Sequence, residues 1–355
     1  MIISRTPYRV SFFGGGTDYP AWYRAHGGAV LAAGIDKYCY LSVRHLPPFF
    51  EHRTRIVYSK IESVRSTEEI THPSVRAVLK HLDVERGLEI HHDGDLPARS
   101  GMGSSSAFTV GLLNAIYALK GQMPSKRQLA LESIHVEQEV LQETVGSQDQ
   151  VMAAYGGLRH VQFLPNGEIS VRPLTLSHER VAEFNSNLML FYTGIIRTAS
   201  DVAKSYVDDI QAKRRQLRIM KDLVEESIGV LTSGQDIKII GGLLNEAWLA
   251  KRSLSAQVSN PQVDELYRTA QEAGALGGKL TGAGGGGFLL LFVPTDKQAE
   301  VKLALNKLIH VPFKFEPAGS QIIFYEPGQD YSAQEEERSQ QNIDTFRELQ
   351  LFKAA

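Results

Sequence analysis

A single cysteine in 355 residues leaves no internal disulfide to form, so the fold must rest on packing, and a reducing cytoplasm is the natural setting. Cys39 stands inside the alternating run Lys37-Tyr38-Cys39-Tyr40-Leu41-Ser42-Val43, the pattern of a strand rather than of a reactive thiol. Charge of one sign is lacking too: 38 Lys and Arg face 40 Asp and Glu, a formal net charge of −2. That balance argues against a general nucleic-acid or membrane-surface binder. No apolar stretch approaches the roughly 18 residues of a membrane span. Met1–Pro7 has no long apolar region of the secretory kind, and neither an internal repeat nor a heptad array occurs. The expected partner is a small molecule, with no nucleic acid and no membrane, and a homodimer is left open.

At 43% hydrophobic the chain can build a sizeable core, and its length exceeds the ~250–300 residues at which one core stops growing. Two lobes are expected, residues 1–185 and 186–330, followed by a polar tail over 331–355. Short apolar or alternating runs at Tyr8–Phe13, Lys37–His45, Thr54–Ser59, Leu88–His92, Leu158–Phe163 and Leu188–Tyr192 predict strands. After Gly194 the pattern turns helical, with segments at Thr198–Ala212, Arg215–Thr232, Ile237–Leu254 and Pro261–Ala273. Phe288–Val293 reads as a buried strand and Ile322–Tyr325 as another.

The most informative stretch is Pro97-Ala98-Arg99-Ser100-Gly101-Met102-Gly103-Ser104-Ser105-Ser106-Ala107, which runs from a strand into a helical pattern through Phe108, Leu112, Ile116 and Leu119. Glycine lets the backbone approach a ligand closely, and the first-turn N–H groups of a helix have no intrahelical partner. Together with the helix dipole they favour an anion such as a nucleotide triphosphate. The competing reading is an ordinary glycine-rich turn whose helix is capped by Ser104–Ser106. No lysine follows Gly103, so the loop is neither G-x-x-x-x-G-K-[ST] nor G-x-G-x-x-G. A second helix starts at a capping box, Ser125 with Gln128, and breaks at Gly146.

Two further segments carry the reading forward: Arg5-Thr6-Pro7-Tyr8-Arg9-Val10-Ser11-Phe12-Phe13-Gly14-Gly15-Gly16-Thr17-Asp18-Tyr19 near the start and Lys279-Leu280-Thr281-Gly282-Ala283-Gly284-Gly285-Gly286-Gly287 late in the chain. In order and spacing these two and the 97–107 loop resemble the three signature motifs of the GHMP small-molecule kinases, over roughly residues 5 to 325. Gly14–Pro20, the run Val145–Gln150 with Tyr155-Gly156-Gly157, and Thr193–Arg197 are similar to the branch that phosphorylates D-glycero-D-manno-heptose 7-phosphate. The resemblance implies an α+β fold of two lobes, the first like domain 2 of ribosomal protein S5 and the second ferredoxin-like, with nucleotide and sugar in the cleft between them.

It also implies an ATP- and Mg²⁺-dependent transfer to the anomeric C1 hydroxyl of that sugar phosphate, on a route to nucleotide-activated heptose and surface polysaccharide. Pro97, Gly101, Met102, Gly103, Ser104, Ser105 and Ser106 would then line the nucleotide phosphates. Ser105, preferred to Ser104, and Glu137 would hold the cation, with Glu139 as an alternative acid. Asp149 would be the catalytic base, oriented by Gln148 and Gln150, with Arg9 beside it offsetting charge on the transferring group. Gly15, Gly16, Thr17, Asp18 and Tyr19 would meet the sugar, and Arg197, Gly284 and Gly285 would complete the substrate side. For the 7-phosphate the available cations are Arg197, Lys204, Arg44 and Arg99. An L-fucose kinase-like or other sugar-1-kinase keeps the same scaffold, and a sugar-sensing relative without catalysis is the competing class.

Overall fold

The computed structural model describes residues 1–50, 52–195, 199–207, 209–328 and 331–341. In chain order the first half comprises β1 (Ile2–Phe13), α1 (Pro20–His26), β2 (Gly28–His45), β3 (Thr54–Val57), β4 (Ile61–Val64), α2 (Pro73–His81), β5 (Leu88–Gly94), α3 (Ser104–Leu119), α4 (Lys126–His135), α5 (Gln148–Tyr155), β6 (Leu158–Phe163) and β7 (Ile169–Pro173). The second half comprises α6 (His178–Ser186), β8 (Leu188–Tyr192), α7 (Ala199–Val207), α8 (Arg214–Thr232), α9 (Lys238–Arg252), α10 (Pro261–Glu272), β9 (Gly277–Leu280), β10 (Phe288–Phe292), α11 (Gln298–Ala304), β11 (Ile309–His310), β12 (Gln321–Tyr325) and α12 (Ser332–Gln340).

Two sheets organise these elements. The larger runs β12-β1-β2-β5-β3-β4, and β6 joins it by pairing the first part of β2 while carrying β7. β2 can serve three neighbours because it is 18 residues long: β1 lies along one side, and β6 and β5 share the other end to end. Its first half, Gly28-Ala29-Val30-Leu31-Ala32-Ala33, is buried throughout, so it shows no alternation that a sequence reading could catch. The smaller sheet runs β11-β8-β10-β9, all antiparallel. Taken as four strands with helices after the first and the third, that order is 4-1-3-2, the ferredoxin-like arrangement expected of the second lobe.

One expectation about organisation changes. β12, placed with the second lobe by sequence, pairs antiparallel with β1 through Ile2↔Tyr325 and Arg5↔Gln321. The chain therefore returns to its first sheet after completing the second, and a cut at residue 185 separates strands that share one ladder. Both sheets contribute to one set of buried residues, with Trp22, Phe12 and Phe163 in the first half and Trp248, Phe288 and Phe292 in the second. No helix among the described residues is long and apolar enough to cross a membrane. Cys39 is buried and free in β2, and burial pushes its thiol pKa up, in keeping with a packing role.

Candidate active site

The first strand sets the geometry. β1 and β2 change register between Pro7 and Arg9, and just past that irregularity Arg9 N–H donates to Met102 O at 3.1 Å, fastening the strand to the glycine loop. The buried Arg9 guanidinium forks onto Asp149, Nε to Oδ1 at 2.8 Å and Nη2 to Oδ2 at 2.7 Å, and its Nη1 reaches Gly101 O at 2.7 Å. One side chain thus ties together the loop, the strand and the first turn of α5. A two-point pair of this kind fixes the carboxylate plane as well as its position.

α3 opens differently from the sequence expectation. Its N-cap is Gly103 in the left-handed region at φ 73°, and no side chain caps the helix. Ser104 Oγ instead accepts from Arg99 N–H at 3.3 Å. The serine-capped turn is therefore not formed, and the helix mouth is left to other acceptors. A Cβ at Gly103 would stand 3.3 Å from Arg9 Cγ and 3.5 Å from Asp149 Oδ2, and one at Gly101 would stand 2.7 Å from Thr281 O. Both positions need glycine for conformation, and Gly101 for space as well.

Between this mouth and the second lobe lies a cavity of about 520 Å³ lined by Arg9, Ser11, Gly15, Gly16, Asp18, Tyr19, Arg99, Gly101, Gly103, Ser104–Ser106, Glu143–Gly146, Gln148, Asp149, Lys251, Lys279, Gly282 and Ala283. Asp18 is buried at its wall. Its Oδ1 accepts from Gly16 N–H at 2.8 Å and its Oδ2 from Gln148 N–H at 3.2 Å. Burial raises its pKa against the pull of those two amides. Among the described residues, Ser11 Oγ and Gln148 Oε1 are buried in the same wall without a hydrogen-bond partner, as expected where a polar ligand completes the set.

Glu137 occupies neither the cavity lining nor a solvated helix face. α4 runs into a π-helical turn over Val136–Val140, which turns the Glu137 side chain into the interior at 1% exposure. Ser106 Oγ donates to its Oε2 at 2.8 Å and Gln150 Nε2 to the same atom at 2.5 Å. Among the described residues its Oε1 is buried without a hydrogen-bond partner, and burial lifts its pKa to about 7.

The expected groupings therefore divide. Arg9, Asp149, Asp18, Tyr19, Gly15, Gly16, Gly101 and Gly103–Ser106 are brought together. Ser105, expected beside Glu137, is exposed, and the contact falls to the buried Ser106 one position on along the helix. Gln148 and Gln150, expected to orient Asp149, serve Asp18 and Glu137 instead, because Arg9 already engages both oxygens of Asp149. Thr17 turns away from the cavity: its hydroxyl spans Gly14 O and Ala29 O and holds the turn closed. Met102 is core, and exposed Pro97 receives the Ser100 hydroxyl on its carbonyl. Gly284 and Gly285 pack on Val258, where a Cβ at Gly284 would stand 2.7 Å from Val258 O, so Gly282 and Ala283 face the cleft in their place. Arg197 lies outside the described residues. Arg44 is held by Glu89 at 2.7 Å and Lys204 is exposed on α7, which leaves Arg99 as the cation of that group on the cavity wall.

Three charged residues of the lining have no role in the sequence reading. Lys279 stands just ahead of the third glycine segment, and Lys251 falls on the buried stripe of α9 with Ile240, Leu244, Ala247 and Trp248. A lysine on an apolar stripe is the signal that could have flagged it. Burial raises the pKa of the third, Glu143.

Comparison with known proteins agrees with this architecture. The family model for the GHMP kinases N terminal domain matches residues 70–157 and that for the GHMP kinases C terminal domain matches residues 219–310, together about half of the chain. The chain is 28% identical over 318 residues to the D-glycero-alpha-D-manno-heptose 7-phosphate kinase of Campylobacter jejuni, covering 86% of this chain and 93% of that one. It is 26% identical to the bifunctional fucokinase/GDP-fucose pyrophosphorylase of Arabidopsis thaliana, covering 85% of this chain and 31% of that protein. The crystal structure of a D-glycero-D-manno-heptose 1-phosphate kinase from B. thetaiotaomicron superposes with a TM-score of 0.76 at 24% identity, covering 92% of this chain and all of that one. With the two lobes, the glycine loop at an open helix mouth and both family models in register with them, the chain belongs to the GHMP kinases and is a kinase of that family.

Proposed function

We propose that this kinase transfers the terminal phosphoryl group of ATP to the anomeric C1 hydroxyl of D-glycero-D-manno-heptose 7-phosphate, giving a 1,7-bisphosphate for nucleotide-activated heptose. The observation that carries the reading is the Arg9–Asp149 fork, set between the uncapped mouth of α3 and the buried carboxylate of Asp18. The similarity to the Campylobacter heptose 7-phosphate kinase across 86% of this chain supports the choice of sugar.

The residues divide the work. The Gly101–Ser106 amides receive the phosphate chain. Asp18, its two oxygens already oriented by main-chain N–H groups, accepts hydrogen bonds from the sugar hydroxyls. Asp149, on the cavity wall and held by Arg9, is the carboxylate that takes the acceptor hydroxyl. As the acceptor oxygen bonds to phosphorus and the bond to the ADP oxygen breaks, the hydroxyl proton passes to Asp149. A positioned carboxylate suffices as the proton acceptor when the transition state is loose and the proton leaves late. Glu137 and Ser106 would hold a divalent cation, because among the described residues one buried oxygen of Glu137 has no hydrogen-bond partner. Mg²⁺ held by them would supply charge neutralisation of the triphosphate.

Incubation with ATP and a panel of free and phosphorylated sugars tests the substrate. Turnover of heptose 7-phosphate well above fucose and galactose is the expected result; fucose turned over in its place would move the chain to the fucokinase reading, and nucleotide binding without any turnover to a sensor. Asp149→Asn should retain ATP binding within a few-fold while turnover falls by roughly two to four powers of ten. Unchanged turnover would remove Asp149 from the role of base.

A further inference from the structure

Among the described residues, two buried lysines of the cleft form no ion pair. Lys251 and Lys279 are 4% and 3% exposed, both line the cavity, and among the described residues both ammonium groups bond to main-chain carbonyls alone. Lys279 Nζ donates to Phe12 O at 3.0 Å, and Lys251 Nζ donates to Leu280 O at 3.2 Å and to Gly282 O. An ammonium group has three donors, so one is left on Lys251 and two on Lys279. Burying a cation on carbonyl dipoles is costly, and a methionine or leucine would serve packing better. The cost is reflected in both pKa values, which burial drives down, that of Lys279 to about 7. Charge kept in such a place is suited to an anion that arrives later.

The position of the pair says which anion. Lys251 is fixed to Gly282, and a Cβ at Gly282 would stand 2.6 Å from Gly101 Cα, so this lysine sits at the joint between the second lobe and the phosphate loop. Lys279 is anchored on Phe12, three residues along β1 from Arg9. Arg9 itself is occupied by Asp149 and Gly101 O, which leaves the lysines as the buried ammonium groups with donors to spare, beside the exposed Arg99 of the same cavity wall.

We propose that Lys251 and Lys279 bind the phosphoryl group in transit, the second lobe supplying cations opposite the helix mouth. This rests on the kinase reading above. The lysines form no covalent bond: as phosphorus passes from the ADP oxygen to the acceptor oxygen, its equatorial oxygens carry the spreading charge, and the ammonium donors meet those oxygens.

Lys279→Met, Lys279→Arg and Lys251→Met, with the wild type, test it through thermal melting, ADP and ATP affinity, acceptor KM and kcat. For the methionine variants the expected result is ADP affinity within about twofold of wild type, acceptor KM unchanged and kcat down about 10²–10³-fold, the scale of losing one preorganised donor. Lys279→Arg should recover part of the loss. A raised acceptor KM at unchanged kcat would assign the lysines to the sugar's own phosphate and overturn the proposal. Full turnover with only a lowered melting temperature would make them structural and overturn it as well.

If the methionine variants do not fold, calorimetry on the wild type at pH 8, in two buffers of different ionisation enthalpy and without acceptor, decides. The charged groups facing the pair are Arg9, Arg99, Asp18, Glu143 and Asp149. ATP should draw in about one proton more than ADP does; equal counts would overturn the proposal. A wild type that binds no nucleotide would instead bring down the kinase reading, whereas turnover untouched in the variants brings down only the lysines.

Discussion

Asp18 depends on a residue that contributes no side chain. A Cβ at Gly146 would lie 1.9 Å from Asp18 Oδ2 and 2.6 Å from its Cγ, closer than any real contact, so Gly146→Ala must displace either the carboxylate or the 141–147 segment. Because Ser147 N–H also holds Asp18 O at 2.9 Å, the carboxylate is the part free to move. Acceptor KM should rise by about tenfold or more while ADP affinity stays put, measured by steady-state kinetics beside equilibrium titration. Ser106 and Ser105 provide a second contrast between neighbours. Removing the Ser106 hydroxyl leaves Glu137 short of a donor, and outer hydrogen bonds of this kind are worth about 10–100-fold in metal affinity. Ser106→Ala should therefore raise the Mg²⁺ concentration for half-maximal turnover by about tenfold, whereas Ser105→Ala should shift it by less than about threefold. Equal effects would place the cation contact at the wrong serine.

At the scale of elements, α3 shows how one feature serves stability and function in opposite directions. Its mouth has no cap, so its first N–H groups remain available at some expense to the helix. Placing an acid in the first turn with Ser104→Asp supplies a favourable dipole contact of about 0.3–1 kcal/mol. The protein without nucleotide should melt about 1–3 °C higher, and ATP should bind at least about tenfold more weakly because the carboxylate occupies the anion's place. A variant that gains stability and keeps its affinity would show that phosphate does not sit at this mouth. The elements that sequence reveals are those bounded by chemistry. Ser125 accepts from Gln128 N–H at 3.1 Å, though Gln128 turns its own side chain to Tyr117 and Glu132. Asn260 and Pro261 open α10 as a cap followed by proline, and the strands Leu158–Phe163 and Leu188–Tyr192 begin and end as read. The elements that stay hidden depend on distant contacts. The uniformly buried start of β2 has no period, the π turn that buries Glu137 leaves no mark in the local sequence, and the return of β12 to β1 is a pairing across more than 300 residues. The site divides in the same way: glycines, Arg9, Asp18 and Asp149 announce themselves by motif, whereas Lys251 and Lys279 acquire meaning once two lobes meet.

For the whole molecule, closing the chain on itself brings charge from both lobes into one enclosed space, and that enclosure couples stability to pH. The Lys279 ammonium has an ordinary pKa of 10.5, and burial lowers it to about 7 in the folded protein. Between those values the unfolded chain binds more protons than the folded one, so folding stability rises with pH across that window. Lys251 shifts in the same direction, with burial again the largest cause. Above about pH 9 the buried Cys39 thiol and Tyr8 hydroxyl, both pushed up by burial, begin to oppose the trend, because there the unfolded chain releases protons that the folded one retains. Between pH 7 and 9 Lys279 should add about 2–3 kcal/mol of stability to the nucleotide-free protein, from which Glu137, its pKa lifted by burial to about 7, subtracts a few tenths of a kcal/mol below about pH 8. Denaturant unfolding at pH 7, 8 and 9 should show that rise, and Lys279→Met should lessen it, leaving the part due to Lys251, while being the more stable protein at pH 7. A slope of the same size in wild type and variant would mean that Lys279 titrates normally, and that the space between the lobes is wetter than the packing of Phe12, Leu280 and Gly282 around these two lysines implies.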